Sequence, residues 1–280
     1  MAGVRVVTDS SCDLPDDLVA EHGITIVPLS IRFGGEELVD RRDLTPTEFW
    51  SKCQHSPVLP ETSAPSPGAF EAAFRAAKDA GADGVVCVNL SSKLSATIQA
   101  AAQAAKAIEP EFPVRVIDSL SVSMGLGLQV LRAARMAADG KGLDDVAGAV
   151  VDTIPRTSVY AALDTLENLK KGGRIGGAQA FIGSLLSVKP VIEVRDGEVH
   201  AESKQRTRSR AVAYLVDKVR QAGPIEELAA VHGQAPDVDE FVDALSALVD
   251  RDRIVVSDIG AVIGTHGGPR AIGVAMIKGA

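Results

Sequence analysis

Aromatic residues are scarce in this chain of 280: seven Phe, two Tyr and one Trp, too few rings for a stacking platform on single-stranded nucleic acid. Positive charge is also short. Lys and Arg number 29 against 37 Asp and Glu, and at a net charge of −8 no cationic field draws in a phosphate backbone, so nucleic acid is excluded as a general partner. The three cysteines, Cys12, Cys53 and Cys87, are odd in number and show no C-x-x-C spacing. That speaks against a disulfide frame or a zinc site and for a reducing compartment; no metal is expected. No apolar run approaches the roughly 20 residues that span a bilayer. The first ten residues read as a strand running into polar residues, not as a charged start followed by a secretory apolar core. The absences together point to a soluble cytoplasmic protein without stable membrane insertion. Also missing are a Walker A loop, G-x-G-x-x-G, H-E-x-x-H and G-x-S-x-G, and none of the five histidines lies at helical ligand spacing from another.

What is present is an apolar fraction of 46%, from which Ala, Val, Leu and Ile must build the core. The N-terminal half alternates strand and helix. Strands are expected at Val4–Val7, Ile24–Ile31, Gly84–Leu90 and Val114–Ile117. Helices are expected at Leu14–His22 with Asp13 as cap, from Thr45 through Cys53 with Glu48 completing a capping box, and at Gly68–Ala80, Leu94–Ile108, Met124–Ala138 and Leu143–Ile154. His55–Pro67, with four prolines, reads as a loop. Strands separated by helices of this length imply right-handed crossovers and a parallel sheet. In the second half, Val188–Val194 and Glu198–Ala201 flank Asp196-Gly197, a hairpin signal that makes this sheet mixed. Further strands are expected at Ser158–Leu163, Leu228–Val231, Ile254–Val256 and Ile272–Met276, with helices at Leu166–Lys171, Thr207–Gln221 and Val238–Val249. The fold class is therefore α/β in two domains: residues 1–155 mainly a parallel sheet with flanking helices, and residues 156–280 a mixed sheet with helices.

Five hydroxyl-rich or glycine-rich segments sit at strand ends, where open α/β sheets bind ligands. Thr8-Asp9-Ser10-Ser11 is a ligand-binding turn or a helix cap. Pro60-Glu61-Thr62-Ser63-Ala64-Pro65-Ser66 presents hydroxyls from a stiff loop or merely leads to the Ser66 cap. Ser91, Ser92, Ser95 and Thr97 crowd a helix start whose free amides suit an anion, and ligand binding is the stronger reading there. Lys170 and Lys171 close a helix and fit its dipole, whereas Arg174, between two glycine pairs, is placed to approach a partner. Gly260–Pro269 reads as a small-residue loop that carries His266 at a site edge. On these residues alone a self-sufficient hydrolase or transferase using Ser95 and His266, or a regulatory module sensing a small anion, stays open.

In order and separation, the segments resemble the DegV family of bacterial lipid-binding proteins. The matching stretches are Thr8-Asp9-Ser10 with Asp13-Leu14, Thr62-Ser63 with Pro65-Ser66, Ser91-Ser92 with Leu94-Ser95 and Thr97, and Asp118-Ser119 with Gly125 and Gly127. Lys171-Gly172-Gly173-Arg174-Ile175, Ser187-Val188-Lys189-Pro190, Arg206-Thr207 and Ile263-Gly264-Thr265-His266 complete the series across essentially the whole chain. The resemblance implies one long-chain fatty acid enclosed between two α/β domains. It also implies that the protein is a non-catalytic subunit, with no cofactor of its own, that presents the carboxylate to a separate kinase subunit. That partner would use ATP to make an acyl phosphate for phospholipid synthesis. Carried over by motif, Thr62 and Ser95 hold the carboxylate with Ser63, Ser91 and Ser92 nearby, His266 sits beside the head group, and Arg174 and Arg206 face the kinase. Ala96 and Ile98 stand where the family usually has Gly and Tyr, a change expected to reshape the head-group pocket; Ala64 replaces a common Gln, and Ala261 and Arg270 replace a typical Pro and Gly, with Arg270 either bringing positive charge near His266 or facing solvent.

Overall fold

The computed structural model describes residues 3–181 and 188–279; Ser187 of the matching series lies outside the described residues. β1 (Val4–Asp9) is buried and β-branched, as a strand between two neighbours requires. A single 3-10 turn, Ser10–Cys12, follows and is closed by Asp13 at φ +50. Asp13 therefore does not cap the first helix. That helix, α1 (Asp16–Glu21), starts behind Pro15, which pre-sets the backbone without needing a donor.

The single strand expected over Ile24–Ile31 divides at Pro28, which cannot donate to a ladder. β2 (Thr25–Val27) runs parallel to β1, and β3 (Ser30–Phe33) turns through Gly34-Gly35 into β4 (Glu36–Val39). α2 (Pro46–His55) carries the expected capping box: Thr45 Oγ1 accepts from the Glu48 amide and the Glu48 carboxylate accepts from the Thr45 amide. The proline-rich segment read as a loop contains a short strand, β5 (Glu61–Ser63), paired antiparallel with β3 so that Thr62 lies opposite Ile31. α3 (Pro67–Asp79), capped by Ser66, then β6 (Gly84–Asn89), α4 (Thr97–Ile108), β7 (Val114–Asp118), α5 (Met124–Ala138) and α6 (Leu143–Thr153) follow. The rest of the chain supplies β8 (Thr157–Ala162), α7 (Glu167–Lys171), β9 (Lys189–Arg195), β10 (Glu198–Gln205) and α8 (Arg208–Gln221). It ends with β11 (Ile225–His232), α9 (Val238–Ser246), β12 (Ile254–Asp258), α10 (Ala261–Gly267) and β13 (Ile272–Lys278).

The class is α/β, as expected. A four-stranded parallel sheet has the order β2-β1-β6-β7, and a six-stranded mixed sheet has the order β10-β9-β8-β13-β11-β12, with β11 and β12 its parallel pair. β4-β3-β5 form a small antiparallel ribbon. The β9–β10 hairpin closes on Asp196 and Gly197 at φ +52 and +82, the two positive angles that a two-residue hairpin turn demands. α5 joins the two main sheets: it packs on β1 and β6 and also on β8, β11 and β13. Every residue from Met124 to Leu131 is buried, since both faces of the helix meet protein. The largest hydrophobic cluster runs through this helix, joining Val6 and Val88 of one sheet to Val159 and Ala275 of the other.

Candidate functional site

An aliphatic cavity lies between the loops ending the parallel strands and the inner face of the mixed sheet. The non-atom space within it, its open mouth included, is about 860 Å³. Its walls are branched aliphatic side chains such as Val159, Ile192, Val194, Val231 and Val262, and among the described residues no ring of Phe, Tyr or Trp lines it. Its polar lining includes Thr62, Ser95, Arg174 and His266; Thr62 and His266 touch, and the Arg174 charge lies near the imidazole.

Each of these four is placed by local structure. Thr62 is the middle residue of a three-residue strand, so period-two alternation turns it inward and leaves Glu61 and Ser63 exposed. His266 sits on α10, a helix formed where the sequence suggested only a glycine-rich loop, and its Nε2 lies 3.0 Å from Thr62 Oγ1. α10 is held against α7 by Asn168, whose Nδ2 donates to the Thr265 carbonyl at 3.1 Å. Gly172, ending α7, lies so close that a Cβ there would overlap His266 Nδ1. The Lys-Gly-Gly-Arg run is thus a packing requirement of the histidine as well as a helix stop.

Burial, and secondarily the Arg174 guanidinium, push the His266 imidazole down to about 4, so it is neutral at pH 7. Its buried Nδ1 has no hydrogen-bond partner among the described residues. The proton placement that leaves least unmet puts the hydrogen on Nε2, donating to Thr62 Oγ1. The Thr62 hydroxyl hydrogen is then free to donate elsewhere. Arg174 is half-buried; its Nε donates to the Leu94 carbonyl at 3.1 Å and its Nη1 to the Gly172 carbonyl at 2.7 Å. Ser95 Oγ lies 2.9 Å from Thr97 Oγ1 and accepts from the Thr97 amide at 3.3 Å, fixing its hydroxyl at the start of α4.

The other residues singled out from sequence lie elsewhere. Ser91 is fully buried, donating to the Gly197 carbonyl at 2.7 Å and accepting from the Lys93 amide, so it ties its loop to the hairpin of the mixed sheet. The Ser92 amide donates to the Asp118 carboxylate, Ser63 is exposed, and Arg206 is exposed just past β10. Arg270 reaches toward Asp164 at 3.6 Å and does not line the cavity. Asn168 was missed, because an amide in a short charged helix carries no signal of its own in sequence. Thr8-Asp9-Ser10-Ser11 is buried structure, in which the Asp9 carboxylate accepts from Ser11, Asn89 and Leu90.

Thr62, Arg174 and His266 also line an outer cleft of about 710 Å³, its open mouth included, together with Glu61, Asn168 and Lys171. The three residues therefore stand between the aliphatic cavity and the surface. The hydroxyl that meets His266 is that of Thr62, while Ser95 pairs with Thr97, so Ser95 and His266 are not assembled as a nucleophile pair. Among the described residues no group of three or more His, Cys, Asp or Glu could hold a metal ion, and no helix is long and apolar enough to cross a membrane.

Residues 3–279 match the model of a family described as uncharacterised proteins of the DegV family. A DegV domain-containing protein of Streptomyces coelicolor is 38% identical over 279 residues, 97% of each chain. A fatty-acid-binding DegV family protein of Thermus thermophilus superposes with a TM-score of 0.88 at 34% identity, covering 99% of both chains. A stearic-acid-binding protein of Eubacterium ventriosum gives a TM-score of 0.89 at 26% identity, over 99% of this chain and 98% of that one.

Proposed function

The chain belongs to the DegV family, and from that premise we propose that it binds one long-chain fatty acid and presents the carboxylate to a separate kinase subunit. The observation that carries the reading is the aliphatic cavity whose lining includes the polar side chains of Thr62, Ser95, Arg174 and His266. Binding of fatty acid by relatives of the same fold supports it.

Moving a sixteen-carbon tail out of water contributes on the order of 10 kcal/mol at ~0.8 kcal/mol per methylene, so the aliphatic walls supply most of the affinity. The carboxylate is costly to bury unless donors meet it. Thr62, its oxygen already accepting from His266, turns its hydroxyl hydrogen to one carboxylate oxygen, and Ser95 serves the same group. Arg174 adds a positive charge at the mouth beside these neutral donors. Two of its five N–H groups are held by backbone carbonyls, which keeps the guanidinium in place.

The outer cleft gives a partner access to the same head group, with Lys171 and Arg174 offering positive charge to a triphosphate. In the proposed step a carboxylate oxygen attacks the γ-phosphorus of ATP held by the kinase. The new O–P bond forms as the bond to the ADP oxygen breaks, and ADP leaves on the kinase. The acyl phosphate would feed phospholipid synthesis in the cytoplasm. This chain needs no cofactor of its own and no nucleic acid or stably inserted membrane partner.

Mass spectrometry of the protein purified without added lipid tests the binding step, with one acyl chain per protein expected. Acyl phosphate formation upon adding a cognate kinase and ATP tests the presentation step. Absence of any acyl chain together with failure to bind palmitate or oleate would refute the first. Turnover of an ester by the chain alone would favour the self-sufficient enzyme instead.

A further inference from the structure

One hydroxyl of the aliphatic cavity has no part in holding the head group. Ser123, directly before α5, lines the cavity, and its Oγ donates to Asp13 Oδ2 at 2.5 Å. Asp13 in turn stands at the start of α10: its Oδ1 accepts at 3.0 Å from the amide of Gly260, the residue before that helix. His266 lies in the last turn of α10, about 9 Å from Gly260 at 1.5 Å of rise per residue. Val262, Ile263, His266 and Gly267 all line the cavity, so it runs alongside the helix. Thr62 and Arg174 are at the His266 end, and Ser123 is at the other.

The Asp13–Ser123 bond is fixed from several sides. The Ser257 hydroxyl donates to the Asp13 carbonyl, and both bonded residues are buried. Both also have positive φ, +50 and +51, a region that favours glycine. An ionised carboxylate only accepts, so the Ser123 hydrogen points to Asp13, which does not itself line the cavity. Arg41 offsets part of the Asp13 charge, so the cavity feels Asp13 mainly through that hydrogen. What Ser123 shows the ligand is an oxygen that can accept and not donate.

Building on the fatty-acid reading above, we propose that Asp13 is a positioning residue that sets which way round the fatty acid lies. By engaging the Ser123 hydrogen it leaves that end of the cavity without a side-chain donor, and a carboxylate is taken only at the His266 end. Asp13 touches no ligand and acts through Ser123. A hydrocarbon end loses nothing beside the Ser123 oxygen, whereas a carboxylate there would be desolvated with no hydrogen to meet it.

Burial pushes Asp13 up to about 7, so the test is made at pH 8, where it is ionised. Hexadecanedioate, with a carboxylate at each end, and palmitate each displace a bound fluorescent fatty acid from the full chain. The wild type should favour palmitate by roughly 100-fold or more. In Asp13→Asn the side-chain oxygen keeps the Gly260 amide and the –NH₂ faces Ser123, whose hydroxyl then turns its hydrogen to the cavity. The preference for palmitate should fall at least tenfold. Adding Ser123→Ala removes that hydrogen and should bring the preference back to within threefold of wild type, a reversal that mere loosening of the fold would not give. Carboxyl carbon NMR of the wild type needs no variant to fold: saturating hexadecanedioate should raise the proton affinity of Asp13 at least tenfold, and palmitate less than threefold. An unchanged preference in Asp13→Asn, no reversal in the double variant, or an equal rise with both ligands would overturn the proposal. Palmitate binding with any of those results removes this inference alone; no palmitate binding by the wild type removes the fatty-acid reading and this inference with it.

Discussion

Replacing Thr62 by Val removes one hydroxyl while keeping size and branching, and the hydrogen bonds around that hydroxyl set two separable magnitudes. Without ligand, the buried His266 Nε2–H loses its acceptor at 3.0 Å and stays unmet, which costs about 1–3 kcal/mol of folding stability. With ligand, the carboxylate also loses a donor. A hydrogen bond to a charged group contributes about 1.5–3 kcal/mol, so fatty-acid binding should weaken roughly 10- to 150-fold. The tail contacts are untouched, so the loss should be confined to ligands that carry a carboxylate. The assay is displacement of a fluorescent fatty acid by palmitate and by hexadecanol, on wild type and on Thr62→Val, with urea unfolding of both proteins. Palmitate should weaken by that factor and hexadecanol by less than threefold. Equal losses for acid and alcohol would show that the variant had merely deformed the cavity. An unchanged palmitate affinity would mean that Thr62 does not meet the carboxylate.

Three other expectations rest on the same geometry. His266 is held at about 4 against an ordinary value of 6.5, so its contribution is fully present above pH 6.5 and is lost as pH falls toward 4, by about 3 kcal/mol; in urea unfolding the stability gap between wild type and His266→Gln should narrow by that amount over this window, and parallel profiles would contradict it. Gly172→Ala puts a methyl where the imidazole packs, so it should cost about 1–3 kcal/mol of stability and weaken palmitate binding as Thr62→Val does; wild-type affinity in a folded variant would show that the histidine position is immaterial. Ser91→Ala removes the tie to the Gly197 carbonyl and should cost about 1 kcal/mol of stability while changing palmitate affinity less than threefold. A loss as large as that of Thr62→Val would instead place Ser91 at the head group.

Much of the fold is legible in short stretches of sequence because the forces that decide it act over a few residues. The β-branched run Val4–Val7, the Thr45/Glu48 box and the Asp196-Gly197 turn each specify their element locally, and each is found where expected. The motif series likewise identified the family from sequence alone. Where long-range partners decide, the local signal fails. Glu61–Ser63 becomes a strand because β3 offers it an edge, despite its flanking prolines, and that pairing alone distinguishes inward Thr62 from outward Ser63. Ala261–Gly267 becomes a helix because α7 and α2 pack against small residues that read as loop.

Sequence also placed the right residue types together without assigning their tasks. Ser91 and Ser95 lie four apart in one hydroxyl-rich loop, yet one ties that loop to the mixed sheet and the other faces the cavity. Arg174 reaches the cavity because one distant carbonyl, that of Leu94, and one local carbonyl, that of Gly172, hold its guanidinium. Composition and periodicity settled that the chain is an aromatic-poor α/β protein with hydroxyl-bearing strand ends. Which hydroxyls meet across 204 residues of chain, as Thr62 and His266 do, was decided only when the two sheets closed on α5. That closure depends on contacts far apart in sequence, and no local pattern encodes them.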